Sequence, residues 1–444
     1  MTVPQVTLAP DLFWPLRLVR SGLWFQASKL WTPLNMEPSP VSFDPESLSF
    51  AADPYSVYAE MREAPQATYF EPMNIWLIPW YNEVDAIARD SRMWRGADRL
   101  FSKASRREER VNNNWHDMPF HERFVQLNLL EQDGEHHRKL RLVVMKAFTQ
   151  TEVARHREMI DQLVNRLLEP LLEQDDIDFI EAFAAPIPGQ VIGAMLGLPQ
   201  EDAAQLRMWV EDMVRFFDVD RSDEKKLAAE TATASLCNYL TDEINHRGDA
   251  LADDLLSVLI RAEQTREITE TELIATALLI LAAGHGSTID VIGTGMANLL
   301  SHPDQWQALK DDQALIPSAI QEMFRFETPL PFFHRYVSEP IEIRGQSFNQ
   351  GDKLGLLYGS ANRDPTFVER PARFDIRRPK PRHLAFGRGA HLCLGNHLAR
   401  LNMEVIFRTL IEKTEDIQLT EDTLHYRPGL STRGLAKLPL AISG

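Results

Sequence analysis

A glycine-rich segment at residues 386–395, with the sequence FGRGAHLCLG, constrains this chain more than any other feature. It places Cys393 two residues after His391 and directly before a sequence with helical periodicity. Glycines in such a loop let the backbone approach the sulfur closely, and the amides at the start of a helix place positive partial charge beside it. A thiolate presented in this way can serve as the axial ligand of a haem iron. The alternative is a buried structural cysteine beside a glycine turn.

The composition limits where the protein works and what it binds. The chain has 444 residues, of which 44% are hydrophobic, and this is enough to bury a large core. The two cysteines, Cys237 and Cys393, are too few and too unrelated in spacing for a disulfide framework, so we expect a reducing cytoplasm. A net charge of −17 argues against a nucleic acid partner, because phosphate repels an acidic surface.

Residues 1–45 are predicted to form an N-terminal arm, and residues 46–444 a single domain. Charged residues interrupt the apolar residues of the arm, so no run of about 20 apolar residues spans a bilayer there. The arm also lacks the compact apolar core and cleavage site of a signal peptide. We expect it to pack on the protein surface, and peripheral contact with a membrane or with a partner protein are the alternatives.

The pattern of elements predicts a mainly α fold with small β-sheets. Residues 134–300 are typical of helices, and short strands are predicted at 67–70, 74–80, 341–344 and 353–357. Residues 92–130 are predicted to form a long irregular loop, which in a compact fold is usually functional. A final helix is expected at about residues 394–412.

The clearest helix is predicted at residues 269–300. Thr269 and Glu272 form a capping box at its start, and its length of roughly 45 Å would cross a whole domain. Polar residues and glycines interrupt its apolar sequence at 284–287 and at Asp290. We therefore expect the core helix of a large domain rather than a membrane span.

The cysteine segment resembles the F-G-x-G-x-H-x-C-x-G signature of the cytochrome P450 family, with Phe386, Gly387, His391, Cys393 and Gly395 at matching positions. Further family motifs follow in order from about residue 50 to about residue 440. The resemblance implies the cytochrome P450 fold, with haem b between the long central helix and the cysteine loop with its following helix. It further implies that Cys393 ligates the iron and that the other four residues contact the haem.

The two propionates of haem need cationic or hydrogen-bonding partners. His137 and Arg141 are four residues apart in a segment that resembles the family's helix C, and so share a helix face. Arg335 follows the sequence PFFH and matches another propionate-binding arginine of the family. Each of these residues taken alone would be read as an ordinary surface charge.

Glu322 and Arg325 match the E-x-x-R motif of the family. Taken alone, the two residues would form an ordinary helix salt bridge, which contributes little to stability. The resemblance implies that Arg373, in the sequence PARF, completes a buried structural triad with them. Such a triad would support the haem loop rather than take part in catalysis.

The long helix departs from the family pattern at one position. Its centre usually reads A-G-x-acid-Thr-Thr, whereas residues 283–288 here read AGHGST. The resemblance implies that Ala283 and Gly284 make room for dioxygen and that Ser287, followed by Thr288, stands in the proton-delivering position. Glycine at 286 removes the acid that usually relays protons, so protons must arrive through water, His285, Asp290 or a group of the substrate.

The substrate pocket is expected to be lined by apolar side chains from several segments. Aromatic residues at these places fit a protein core equally well, and if they do line a pocket they imply an apolar substrate of modest size. The candidates are Trp115, Phe120, Leu279, Ala283, Phe332 and Phe333.

The resemblance implies an oxidoreductase: a haem-thiolate monooxygenase that inserts one atom of O2 into a small apolar molecule by hydroxylation or oxidative O-demethylation. Because no reductase is fused to the chain, we expect electrons from a separate ferredoxin with its reductase. The basic residues of 376–400, with Arg138, Lys139 and Lys146, would dock the ferredoxin; they could instead serve only haem propionates and salt bridges. Two alternative functions are a peroxide-using peroxygenase, suggested by the glycine at 286, and a non-catalytic haem-binding protein.

Overall fold

The computed structural model of the chain describes residues 41–98, 100–126, 128–379 and 382–444. The predicted N-terminal arm, residues 1–45, therefore lies almost entirely outside the described residues, and its boundary with the main domain stays a prediction. Within the described ranges the chain is mainly helical with small sheets, which confirms the predicted fold class.

Helices make up most of the described chain. Those before residue 216 are α1 (Leu48–Ala52), α2 (Pro54–Glu63), α3 (Tyr81–Arg89), α4 (Lys103–Asn112), α5 (Gly134–Met145), α6 (Gln150–Ala154), α7 (Arg157–Leu168), α8 (Pro186–Leu196) and α9 (Ala203–Arg215). Those after it are α10 (Asp223–Arg247), α11 (Leu255–Gln264), α12 (Glu270–Ala283), α13 (Gly286–Leu300), α14 (Pro303–Asp311), α15 (Ile316–Phe326), α16 (Tyr358–Ala361) and α17 (Asn396–Lys413).

The strands form three small sheets. They are β1 (Thr68–Phe70), β2 (Ile75–Ile78), β3 (Met93–Trp94), β4 (Gln174–Asp178), β5 (Phe332–Val337), β6 (Ile341–Ile343), β7 (Gln346–Phe348), β8 (Lys353–Leu357), β9 (Asp416–Leu419) and β10 (Pro439–Ser443). The five-stranded sheet has the order β1-β2-β8-β5-β3, and the others pair β4-β10-β9 and β6-β7. All four strands predicted from the sequence are present, within two residues of the predicted ends.

The largest apolar core lies among the central helices. It draws residues from α8, α12, α13, α15 and α17, including Ile192, Leu281, Val291, Met323 and Phe407. The helices approach closely, since a Cβ at Gly295 of α13 would lie only 2.8 Å from the sulfur of Met323. The same Cβ would lie 3.4 Å from Phe407 of α17, the helix that follows the cysteine loop. Dense packing therefore fixes α17 against the long central helix.

The predicted helix at 269–300 is confirmed at both ends but interrupted in the middle. Thr269 caps it as predicted, accepting a hydrogen bond from the Glu272 amide while the Glu272 carboxylate accepts one from the Thr269 amide. Gly284 and His285 fall between α12 and α13, and the His285 backbone (φ −90°, ψ −82°) leaves the helical region.

By length and composition, Glu270–Leu300 could cross a membrane, but 67% of its most apolar 18-residue window is buried inside the protein. Such burial is what the core helix of a folded domain shows, and it agrees with the expected core position.

Helix α4 and strand β4 are two of the elements that the sequence did not predict, and neither has a broad apolar face. Helix α4 lies within the segment predicted to be irregular, and it has no buried residue. Its only local signal is Ser102, whose hydroxyl accepts the Ser105 amide and caps the helix. Strand β4 is largely charged and exposed, and it pairs on one side only, at the edge of its sheet.

Gly355 in the central strand β8 offers a test of the five-stranded sheet. A Cβ there would lie 2.6 Å from Phe332 and 2.8 Å from Leu77. We expect Gly355→Ala to lower the free energy of unfolding by about 1–3 kcal/mol through overpacking, measured by urea denaturation. Ser347→Ala on the exposed strand β7 is the control, with a change within about 0.5 kcal/mol. Equal stability of the two variants would contradict this packing.

Candidate active site

The cysteine loop is a tight turn fixed by two glycines in the left-handed region. Gly387 has φ 66° and Gly389 φ 71°, and a Cβ at Gly389 would also overlap the carbonyl oxygen of Ala88 in α3. The turn is closed by the Cys393 amide, which donates to the carbonyl oxygen of Phe386 at 2.8 Å. Non-glycine residues could not replace these two glycines without strain.

The surroundings of the Cys393 thiol shift its pKa in opposite directions. Burial raises its pKa, whereas the Gly395 amide and the cations Arg141 and Arg400 lower it. Arg141 reaches the loop from α5 and donates to the carbonyl oxygen of Leu392 at 2.6 Å. Because burial outweighs these cations, the pKa of the free thiol is raised, and a coordinated metal ion would deprotonate it outright.

A second group of basic side chains lies beside the loop, and burial lowers the pKa of both histidines in it. The rings of His137 and His391 are 4.2 Å apart, and His391 Nε2 lies 3.2 Å from Asp133 Oδ1. Burial lowers the pKa of Arg335, and Arg95 nearby lowers it further, whereas Asp133 raises it. The structure thus brings together His137 and Arg335, two of the three predicted propionate contacts, with His391 of the cysteine loop, whereas Arg141 hydrogen-bonds the loop backbone.

Arg95 and Asp133 are members of this group that sequence reasoning did not place there. Asp133 Oδ2 accepts the amides of Arg95 and Gly96, both at 2.8 Å. The Arg95 side chain pairs with Glu131 and donates to the carbonyl oxygen of His334, 36 and 239 positions away in the chain. No local sequence signal predicts such distant partners.

The buried triad contains Arg378, and the prediction of Arg373 was wrong. Glu322 and Arg325, both fully buried, form a bidentate pair with two 2.7 Å hydrogen bonds. The third guanidinium is that of Arg378, whose Nε lies 3.2 Å from Glu322. Arg373 has an exposed side chain and contributes only its carbonyl oxygen, which accepts from Arg325 and Arg378. The turn after residue 373 carries the chain back toward α15, so the arginine five residues later reaches the carboxylate.

The long helix has one uncovered face at its break. Most of α12 and α13 is buried, yet Ala283 and Gly286 are exposed and Leu279 and Ser287 are half-buried. These residues are spaced three or four apart and would share one face of a continuous helix. Gly284 instead packs against α8, where its Cβ would lie 3.0 Å from Ile192.

His285 and Thr288 point into the protein rather than to this uncovered face. His285 is buried, its Nδ1 lies 2.6 Å from the carbonyl oxygen of Leu281, and a Cβ at Gly189 of α8 would overlap its Nε2. Burial lowers the pKa of His285, so the imidazole is neutral near pH 7. Thr288 is likewise buried. The roles predicted for Gly284, Ser287 and Thr288 stay predictions.

Most of the predicted aromatic pocket residues are partly exposed, whereas Phe332 is buried in the core. Trp115 packs against Phe216, with ring centroids 4.8 Å apart, and Phe120 and Phe333 are half-buried. Phe332 is 6% exposed and belongs to the core cluster beneath the sheet with Leu430. The prediction that Phe332 lines a pocket was therefore wrong, because in β5 its side chain points to the face of the sheet that carries Leu77 and Gly355.

Comparison with known proteins agrees with this geometry. The family model "Cytochrome P450" matches residues 98–418. The chain is 35% identical over 403 residues to cytochrome P450 monooxygenase PikC of Streptomyces venezuelae, covering 88% of this chain and 91% of the relative. It is 31% identical over 405 residues to 6-deoxyerythronolide B hydroxylase of Saccharopolyspora erythraea, covering 88% and 96%.

A solved structure shows the same fold. The structure of P450BioI in complex with an acyl carrier protein ligated to hexadec-9Z-enoic acid superposes with a TM-score of 0.82 at 29% identity, covering 89% of this chain and all of the other. The chain belongs to the cytochrome P450 family. It is an oxidoreductase of the monooxygenase class whose cofactor is haem b with a cysteine thiolate ligand.

The triad generates a prediction that separates its two candidate arginines. Arg378→Ala removes a charge-assisted hydrogen bond to a buried carboxylate, so we expect it to lower the free energy of unfolding by about 1.5–3 kcal/mol. Arg373→Ala, at an exposed side chain, should change it by no more than about 0.5 kcal/mol. Urea denaturation followed by haem release measures both. The reverse order would restore Arg373 as the third member.

Proposed function

We propose that this cytochrome P450 inserts one atom of O2 into a small apolar molecule, by hydroxylation or oxidative O-demethylation, with Cys393 as its iron ligand. The observation that carries the proposal is the environment of Cys393. Its thiol is held in a glycine turn directly before α17, and the guanidinium groups of Arg141 and Arg400 and the Gly395 amide favour its thiolate form. A merely structural cysteine such as Cys237, buried among apolar side chains, has no such surroundings.

The buried arginines and histidines beside the loop fit the propionates of a haem, the arginines as cations and the neutral histidines as hydrogen-bond donors. His137, His391, Arg335 and Arg95 gather around the carboxylates of Asp133 and Glu131. Among the described residues, the buried Nε2 of His137 and Nε of Arg95 have no hydrogen-bond partner. Buried polar atoms are rarely left unpaired, so these nitrogens are available to anionic oxygens. We assign propionate binding to these residues, with Arg141 holding the loop.

The Cys393 side of the site also has room for a flat group. A Cβ at Gly395 would meet nothing within 4 Å among the described residues, and Phe386, Leu392 and Leu394 are not buried. We propose that Phe386, Gly387 and Gly395 lie against the cofactor. Arg400 stacks 4.4 Å from the Phe386 ring and fixes its orientation.

Haem with a thiolate ligand supplies the activation of dioxygen, because the thiolate donates electron density to the iron. The residues of the chain supply position and protons. The uncovered face at Ala283 and Gly286 leaves space for dioxygen and substrate, and the Ser287 hydroxyl beside it can both accept and donate a proton. We propose that Gly284 permits the helix break that exposes this face.

Apolar residues support a small apolar substrate. Trp115, Phe120, Leu279 and Phe333 are only partly buried, whereas comparable side chains elsewhere are packed in the core. The relative 6-deoxyerythronolide B hydroxylase is named for the hydroxylation of one small molecule, which also supports this substrate class. Phe332 is not part of this pocket.

We propose that a ferredoxin docks on the exposed basic residues around α5, with exposed Arg377 and Arg382 of the basic stretch as further candidates. Arg378, Arg388 and Arg400 are engaged in internal contacts. Arg138, Lys139 and Lys146 are exposed at or just after α5, which contacts the cysteine loop through Arg141. Exposed apolar residues lie among them, namely Leu142, Met145 and Leu392. A basic surface with an apolar centre suits an acidic ferredoxin that must come close to the thiolate.

We further propose that the protein works in the cytoplasm, where its two free cysteines stay reduced. We also propose peripheral membrane contact by residues 1–45, of which residues 1–40 lie outside the described part of the chain.

A peroxide-dependent reaction is a second candidate. It is favoured by Gly286, because the uncovered face carries no acid at that position. Turnover with peroxide but none with ferredoxin, reductase and dioxygen would identify it.

Cys393→Ser tests the central assignment. The wild-type protein, reduced under carbon monoxide, should show the strongly red-shifted Soret band of a thiolate-ligated haem, and a series of apolar compounds should shift its spin state. The serine variant should lose the red shift, because an alkoxide is not available near pH 7. An unchanged spectrum in the variant would disprove the ligand assignment.

Charge reversal tests the docking surface. Lys146→Glu should weaken binding of a ferredoxin and reduce the salt dependence of its reduction kinetics, because it places a like charge against an acidic partner. Arg166→Glu, at a charged residue of α7, is the control. Stopped-flow electron transfer at several salt concentrations measures both. Equal effects of the two variants would place the ferredoxin elsewhere.

A further inference from the structure

Gly286 leaves open the position from which an acid would deliver protons. It is the first residue of α13 and is exposed, and a Cβ there would meet nothing within 4 Å among the described residues. His285 cannot serve in its place, because its side chain is turned into the core against α8. Of the two side chains considered as proton sources, Asp290 therefore remains, beside water and a group of the substrate.

Asp290 is one helical turn away on the same helix. It follows Gly286 by four residues and Ser287 by three, and residues at both spacings are neighbours on a helix surface. Side chains on a helix lean toward its N-terminus, which favours approach of the Asp290 carboxyl to the turn that carries Gly286 and Ser287. It is the only acidic residue within α13.

The carboxyl of Asp290 is buried and only half satisfied. Its side chain is 2% exposed, and Oδ1 accepts from Arg427 Nη2 at 2.5 Å. Oδ2 is buried without a hydrogen-bond partner among the described residues. A buried carboxylate oxygen without a partner is costly, so this oxygen is suited to holding a proton or bonding a water molecule.

The C-terminal segment places Arg427 over this carboxyl. Tyr426 pairs with Leu435, and the Arg427 amide donates to the carbonyl oxygen of Gly434. A Cβ at Gly434 would overlap Asp290 Oδ1, so glycine is needed there for the carboxyl to fit. The Arg427 side chain is 42% exposed, which links the buried carboxyl to solvent.

Charges on the neighbouring elements favour proton exchange at this carboxyl. Burial raises the pKa of Asp290, Arg427 lowers it, and Glu211 on α9 raises it. Glu211 is itself paired with Arg207, which also binds Glu181. The groups that act on Asp290 are thus Arg427 from the C-terminal segment and Glu211 from α9.

We propose that Asp290, paired with Arg427, is the proton-relay residue of this enzyme and replaces the acid absent at position 286. The inference rests on the proposed monooxygenase function, because it concerns the protons that the reduction of dioxygen consumes. The Asp290 carboxyl acts through Ser287 or a water beside Gly286, so Asp290 is a positioning residue for proton transfer.

Each proton that the relay passes on is replaced by one from solvent. The carboxylic acid form of Asp290 gives its proton to the Ser287 oxygen or to a water, which releases its own proton to the oxygen being reduced. The carboxylate then takes a proton from solvent alongside Arg427. No electron passes through these groups, since both electrons come from the redox partner.

Asp290→Asn tests the relay, because asparagine keeps the volume and can still accept from Arg427 but cannot ionise. The reduced holoprotein is mixed with dioxygen and with reduced ferredoxin, which supplies the second electron, in H2O and in D2O over a range of pH, and the return of the oxidised haem spectrum is followed. We expect the variant to be slower by about tenfold or more, to lose the pH dependence and to show a changed solvent isotope effect. Glu270→Gln, an exposed acid at the start of α12, is the matched control and should match wild type.

The double variant Gly286→Asp/Asp290→Asn provides the rescue. It restores an acid where a side chain has free space, so the rate and its pH dependence should recover. Infrared spectroscopy of the resting protein gives a readout apart from turnover, namely a protonated carboxyl band that titrates in wild type and is absent from Asp290→Asn. The acid form should persist to a higher pH than for an exposed aspartate and be lost as pH rises.

The outcomes separate the relay from the proposed function. An intact thiolate-type carbon monoxide spectrum together with wild-type kinetics in Asp290→Asn would overturn the relay alone. Slow kinetics without rescue and without the infrared band would also overturn it, as a structural effect of the substitution. A wild-type protein without a thiolate-ligated haem would overturn the proposed function and the relay with it.

Discussion

The bidentate pair between Glu322 and Arg325 is the interaction on which the site depends. Both side chains are fully buried, and the remaining N–H groups of Arg325 donate to the carbonyl oxygens of Asn362, Pro371 and Arg373. Asn362 in turn accepts the Leu384 amide at 2.6 Å, just before the cysteine loop. A buried ion pair contributes little net stability, whereas loss of one partner costs about 3–5 kcal/mol. The pair therefore acts mainly by fixing the backbone at Asn362, which in turn positions the segment that precedes Cys393.

Although the protein is acidic overall, basic side chains are concentrated around the cysteine loop. The net charge of −17 gives no sign of it, yet cations concentrate around the cysteine loop. Arg141 and Arg400 act on the sulfur, and the group with His137, His391 and Arg335 lies beside the loop. Because Coulomb interactions are strong where water is excluded, these few residues and not the overall charge set the field at the site.

The sequence was informative where the chemistry is local. The cysteine turn, the Thr269 capping box and the strand at 353–357 each depend on residues a few positions apart, and all three are present as predicted. Predictions failed where the outcome depends on the path of the backbone. Either arginine of a turn could have reached Glu322, and only the fold selects Arg378. Phe332 and Phe333 are adjacent, and strand alternation, which one sequence does not orient, puts the first into the core.

An acid and an alcohol, Asp290 and Ser287, lie one turn apart in α13, just after the break in the central helix. Gly284 and Gly286 each cost about 1 kcal/mol relative to alanine in a helix, and close packing of Ile192 on the break offsets part of this. Position 286 has no side chain, and the carboxyl of α13 is that of the buried residue Asp290. Only a glycine at position 434 leaves room for this carboxyl. The segment that carries Arg427 also binds Asp218, after α9, through the amides of Leu430 and Ser431. The segment that holds Arg427 against Asp290 is thus also fixed to the chain after α9, and both contacts position the proposed proton route.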